Sequence, residues 1–117
     1  MSFKFSLTFT LYCAKLLFVK VNEKLESQEI DFLILGLQSL KSRNEYYGFF
    51  EDLLTVAELK SLGNRFKAAK LLSEGKTYNE VAEKTGASSA TISRINKALS
   101  YGAGGYNTVL ARLGEDE

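Results

Sequence analysis

At 117 residues, with 45% apolar and 25% charged side chains and no proline, the chain has the length and composition of one folded domain rather than of a disordered or fibrous segment. It contains no histidine, which excludes imidazole acid–base chemistry, histidine-dependent triads and His-containing zinc sites, and its single Cys13 can form neither an internal disulfide nor a Cys-x-x-Cys clip. The net charge of +1 conceals two opposed stretches, −5 over residues 21–58 and +5 over residues 60–97, and the cationic stretch suits a polyanionic partner.

Residues 1–20 begin with the alternation of a strand (Phe3, Phe5, Leu7, Phe9, Leu11), but no other run in the chain would pair with it. Lys4, Lys15 and Lys20 interrupt the segment well short of the roughly 20 apolar residues that span a membrane. No small-x-small cleavage site follows Cys13. These residues are predicted to lie outside the core fold, either as an extra N-terminal arm or as sequence upstream of the true translation start, with residues 21–117 forming the domain. A lone cysteine acting as a small apolar side chain fits a reducing compartment, so the expected location is the cytoplasm.

From Asn22 to Leu40, the residues Leu25, Ile30, Leu33, Ile34, Leu37 and Leu40 recur at helical spacing, and Phe32 and Leu35 widen the stripe until it nearly encircles the helix. Such a helix needs apolar neighbours on both sides. In a chain this short a second copy supplies them, so a homodimer is expected; the alternative is a core helix of a monomer. A second helix carries Tyr46, Tyr47, Phe49, Phe50, Leu53 and Leu54 as core aromatics and aliphatics, ending near Thr55. Thr55-Val56-Ala57-Glu58 reads as a capping box that starts a third helix. Its predicted apolar face is Leu59, Leu62, Phe66, Ala69 and Leu72, opposite Lys60, Arg65, Lys67 and Lys70, and Gly75 stops it.

Thr77-Tyr78-Asn79-Glu80 is a second capping box, followed by Val81, Ala82, Gly86, an N-cap at Ser88 or Ser89, and then Ile92 and Ile95. This spacing predicts a helix-turn-helix over about residues 77–99. Ala82 is small where the second helix crosses, Gly86 can take the left-handed conformation of the turn, and Val81, Ile92 and Ile95 point inward. The second helix then exposes short polar side chains and cations. Ser88, Ser89, Ala90 and Ser93 are the candidate base readers in a major groove, with Ala90 suited to a thymine methyl. Lys67, Lys76, Lys84, Thr91, Arg94 and Lys97 are the candidate phosphate contacts, with Lys60 and Lys70 as further cations. After a flexible turn over residues 101–105, Tyr106, Val109, Leu110 and Leu113 predict a last helix, and the acidic residues 115–117 a solvated tail. The glycines of that turn lack the lysine and the preceding strand of a phosphate loop.

The residues from Thr55 to Lys97, especially Leu62-Gly63-Asn64-Arg65, Leu71-Leu72-Ser73-Glu74-Gly75 and Thr85-Gly86-Ala87-Ser88-Ser89-Ala90-Thr91-Ile92-Ser93-Arg94, resemble the tryptophan-repressor superfamily. With Leu99-Ser100-Tyr101-Gly102 added, the chain is similar to its YerC/YecD branch of TrpR-related proteins over about Asn22 to Arg112. The resemblance implies an all-α, intertwined homodimer whose two helix-turn-helix units face successive major grooves. It also implies an effector site on Thr55, Arg65 and Arg94. Where the family has the glycine that admits an indole ring this chain has Ile95, and where it has the serine that receives the amino group this chain has Ala98, so tryptophan is not the expected effector. The bland alternative makes Arg65 and Arg94 partners of phosphates or carboxylates. The expected function is a sequence-specific transcriptional regulator, a repressor acting on double-stranded DNA as a homodimer, with no catalytic residues, metal, cofactor or membrane association. The rival is a helical dimeric protein-interaction module that uses the helix-turn-helix as scaffold.

Overall fold

The computed structural model describes residues 19–115, and among these every regular element is helical. The chain divides into two units, one of residues 21–64 and one holding Arg65 onward together with Lys20. The expected arm lies outside the described residues except at its end, where the Lys20 N–H donates to the Ala103 carbonyl at 2.8 Å.

In the first unit a 3-10 turn over Glu23–Leu25 precedes α1 (Gln28–Ser39), and α2 (Arg43–Leu53) follows. The predicted start of the first helix at Asn22 is therefore six residues early. Ser27 accepts the Ile30 N–H at 3.2 Å as N-cap, and Glu26 and Ser27 are extended, so Leu25 falls outside α1. Ser42 caps α2, accepting the Glu45 N–H and donating to the Glu45 carboxylate. Phe49 reaches within 3.7 Å of where a Cβ on Gly36 would stand, and Phe50 lies 6.3 Å from Tyr46 between ring centres. Even so, no residue of 21–64 is buried within this chain: Phe32 is 78% and Leu35 62% exposed.

Helix α3 (Val56–Ser73) begins in the first unit and ends in the second. The Thr55 hydroxyl accepts the Glu58 N–H at 3.1 Å, and the Glu58 carboxylate accepts the Thr55 N–H at 2.9 Å, as the sequence predicts. Of its expected apolar face, Ala69 is buried and Leu59, Phe66 and Leu72 are half-buried, whereas Leu62 is 48% exposed; Ala68 and Leu71, outside that face, are buried as well. At the far end Gly75 is left-handed (φ +84), with its N–H on the Leu72 carbonyl and that of Lys76 on the Leu71 carbonyl, the paired bonds that close a helix C-terminus.

The core belongs to the second unit. Ala68, Ala69 and Leu71 of α3 meet Val81 of α4 (Tyr78–Thr85) and Ile92 and Ile95 of α5 (Ser89–Tyr101). Small residues at the crossings let the helices approach, and each fully buried Val or Ile contributes about 1.5–3 kcal/mol. Gly102 ends α5 as a positional necessity, since a Cβ there would collide with the Ala98 carbonyl and stand 2.9 Å from its Cα. The last helix, α6 (Gly105–Glu115), starts at the glycine turn. Asn107 pins it to α5 by donating to the Leu99 carbonyl at 2.8 Å, and Tyr106 stacks on Phe66 at 6.4 Å between centres.

Candidate nucleic-acid interface

Helices α4 and α5, with three residues between them, occupy the stretch predicted as a helix-turn-helix. Thr77 starts α4 with a complete capping box: its hydroxyl accepts the Glu80 N–H at 3.2 Å while the Glu80 carboxylate accepts the Thr77 N–H at 2.8 Å. That bond holds the Glu80 carboxyl below its ordinary 4.5, helped by Lys76 and Lys84, and the bond from the Thr55 N–H lowers Glu58 in the same way. Gly86 closes α4 in the left-handed region (φ +73), its N–H on the Ala82 carbonyl at 2.8 Å. Val81 and Ile92 are wholly buried and Ile95 nearly so, which fixes the crossing of the two helices.

Sequence reasoning missed Thr85, which is buried and ties the turn together. Its hydroxyl donates to the Val81 carbonyl at 2.7 Å and accepts the Ala87 N–H at 3.2 Å. The detectable signal was a hydroxyl residue just before the turn glycine, where it can reach back four residues.

On α5, Ser89, Ala90, Ser93, Arg94 and Lys97 are all exposed and fall at the spacings of one helical face, opposite Ile92 and Ile95. Three of the four candidate base readers thus share a stripe with two cations. Ser88 sits differently. It is the N-cap of α5, its hydroxyl accepting the Thr91 N–H at 3.2 Å and donating to Thr91 Oγ1 at 3.0 Å. Among the candidate phosphate contacts, Lys67 lies on α3, Lys76 in the link before α4 and Lys84 in the last turn of α4, all exposed.

Arg65 and Arg94 line one pocket of about 210 Å³ with Thr91, Ile95, Ala98 and Tyr106. Thr55 belongs to the other unit, where its hydroxyl is engaged in capping α3. Among the described residues no cluster of three or more metal-ligating side chains occurs, and no helix is long and apolar enough to cross a membrane.

Comparison with known proteins gives one consistent picture. The family model described as Trp repressor protein matches residues 28–114. The chain is 44% identical over 95 residues to the uncharacterised protein YerC of Bacillus subtilis, covering 81% of this chain and 91% of that protein. It is 39% identical over 70 residues to the Trp operon repressor homologue of Chlamydia caviae, covering 59% of this chain and 68% of the relative. Among solved structures, a TrpR-like protein from Eubacterium eligens superposes with a TM-score of 0.76 at 52% identity, over 80% of this chain and 96% of that one. A Staphylococcus aureus protein assigned as a Trp repressor gives 0.75 at 40% identity, over 79% and 92%.

Proposed function

The chain belongs to the Trp repressor family, and from that premise we propose that it is a transcriptional repressor that reads operator DNA as a homodimer through α4 and α5. At the level of the family it is a DNA-binding regulator and not an enzyme.

The observation that carries the finer reading is the exposed stripe of Ser89, Ala90, Ser93, Arg94 and Lys97 on a helix whose opposite side is locked into the core by Ile92 and Ile95. Short side chains on a rigid rod let the backbone come close to base edges, where hydroxyls can hydrogen-bond and Ala90 can touch a thymine methyl. Arg94 and Lys97, with Lys67, Lys76 and Lys84, supply phosphate contacts, and Thr91 joins them at the start of α5. Ser88 remains a candidate reader through the edge of its cap.

The homodimer reading draws on α1, which leaves Ile30, Phe32, Ile34 and Leu35 exposed in the single chain. Water-facing Phe and Leu side chains in a row are the mark of a surface meant to be covered. Two copies would present two α5 helices to half-sites about 34 Å apart. The protein is assigned to the cytoplasm beside its DNA, and a ligand site to Arg65 and Arg94, with Thr55 as a third contact and tryptophan not the ligand.

Titration of labelled duplex against salt tests the DNA reading. Each engaged phosphate contact adds about −0.9 to the slope of log affinity against log salt, so Lys97→Gln should flatten the slope by about that amount. Ser93→Ala should leave the slope alone and lower affinity for the preferred site by about 1–3 kcal/mol. A protein with no duplex binding at low salt is a scaffold module, and this reading then fails.

A further inference from the structure

The exposed face of α5 does not stop at Lys97. Ser100 and Tyr101 continue it three and four residues further on, and Tyr101, which the sequence alone places in the glycine turn, is the last residue of the helix. Its side chain is 85% exposed, and among the described residues it has no hydrogen-bond or ring partner. Phe66 and Tyr106 of the same unit, by contrast, stack on each other. The end of the helix that carries Tyr101 is held in place: the Gly102 N–H donates to the Ala98 carbonyl at 2.9 Å, and Asn107 of α6 donates to the Leu99 carbonyl at 2.8 Å. Two of the last four carbonyls of α5 are thereby taken, so the ring stands on a fixed rod rather than on a fraying end.

What a duplex would meet at this end follows from the length of the rod. At 1.5 Å per residue, Tyr101 stands about 16 Å along the axis from Ala90, which exceeds the roughly 12 Å width of a major groove. With Ala90 and Ser93 at base edges, Tyr101 therefore falls at the sugar-phosphate wall and not over the bases. Phosphate oxygens accept hydrogen bonds, and so do the open carbonyls of a helix C-terminus, so contact at this end requires a side chain that donates. The phenol is such a donor, and α5 carries no aspartate or glutamate that would repel a phosphate.

We propose that the Tyr101 hydroxyl donates to a backbone phosphate at the rim of the groove that α5 enters, so that the duplex is held along the whole helix and not at its N-terminal half alone. The proposal rests on the reading of α5 as the helix in the groove and adds a residue to it. Two separated points of hold fix the angle of α5 to the duplex, and a phosphate contact does so without base preference.

Titration of labelled duplex with the full-length protein and with Tyr101→Phe tests this. Loss of the hydroxyl should weaken binding about tenfold, by the same factor for the preferred site and for an unrelated duplex. The slope of log affinity against log salt should stay the same, because a phenol carries no charge, whereas Tyr101→Lys should restore affinity and steepen the slope by about 0.9. Nitration gives a readout without a substitution: tetranitromethane should nitrate Tyr101 in the free protein, and saturating duplex should protect it, as read by mass spectrometry of the digested chain.

Equal affinity of Tyr101→Phe and the parent, or nitration of Tyr101 at one rate with and without duplex, overturns the proposal and leaves α5 as the reading helix. A loss confined to the preferred site would make Tyr101 a base reader and overturns it too. So does a change in sedimentation of the free variant, which would make the side chain an assembly contact. A parent protein that binds no duplex at low salt sinks the repressor reading and this proposal with it, so the parent alone tells the two failures apart.

Discussion

Residues 21–64 and residues 65–115 are made of similar material, short amphipathic helices begun by hydroxyl caps, but they bury it differently. The first stretch holds the large side chains, Phe32, Leu35, Tyr46, Tyr47 and Phe50, and buries none of them within the chain. The second builds a core largely from Ala68, Ala69, Val81, Ile92 and Ile95. Apolar content alone therefore does not make a core. Small residues at helix crossings do so locally, because backbones can approach until the side chains interlock, whereas a helix apolar nearly all round requires cover from elsewhere.

The sharpest way to break this contrast is a pair of substitutions, one in each region. Ile92→Ala removes a wholly buried side chain and should cost about 2–5 kcal/mol in denaturant unfolding. Phe32→Asp changes a residue 78% exposed in the single chain, and its effect should appear in assembly. In analytical ultracentrifugation it should shift the protein to monomer and remove the dependence of Tm on concentration. If Phe32→Asp leaves the sedimentation coefficient unchanged, α1 is not a dimer surface.

A smaller effect is expected at Gly86. Its φ of +73 is unfavourable for a residue with a Cβ, and nothing lies within 4 Å of where that Cβ would stand, so Gly86→Ala should cost about 1–2 kcal/mol through the backbone alone. A cost near zero would mean that the turn can readjust without loosening the α4–α5 crossing.

The smallest effect concerns acid. The folded-state pKa values of Glu58 and Glu80 lie below 4.5, so their contribution is complete above that value and is lost as pH falls through the lowered values. Glu80→Gln should therefore show a shallower fall of Tm between neutral pH and pH 3 than the parent protein. An unchanged profile would show that the capping carboxylate does not contribute to acid sensitivity.

Much of the α4–α5 pair was legible because its signals are local. A hydroxyl residue three before a glutamate announces each capping box, a glycine marks the turn, and Val81, Ile92 and Ile95 keep helical period. The boundaries and faces that were misread needed information from further along the chain. Ser27 interrupts an apolar run that continues through Leu25, and only the cap bond to Ile30 shows where α1 begins. The stripe drawn from Leu59 through Leu72 includes Ala69, which is buried, and Leu62, which is exposed in the single chain, and it omits Ala68 and Leu71, which are buried. Thr85 and Asn107 look like ordinary polar residues until their carbonyl partners, Val81 and Leu99, are known. In the candidate site, the grouping of Arg65 with Arg94 was suggested by family resemblance. The structure adds Thr91, Ile95, Ala98 and Tyr106 to the lining they share.

The most direct test is selection of duplexes from a random pool by the purified protein and by its Ala90→Glu variant. The parent should enrich a two-fold symmetric motif with half-sites about one helical turn apart, and the variant, with a carboxylate on the face meant for base edges, should retain none of it. Enrichment of the same motif by both proteins, or of no motif by the parent, would contradict the assignment of α5 as the reading helix.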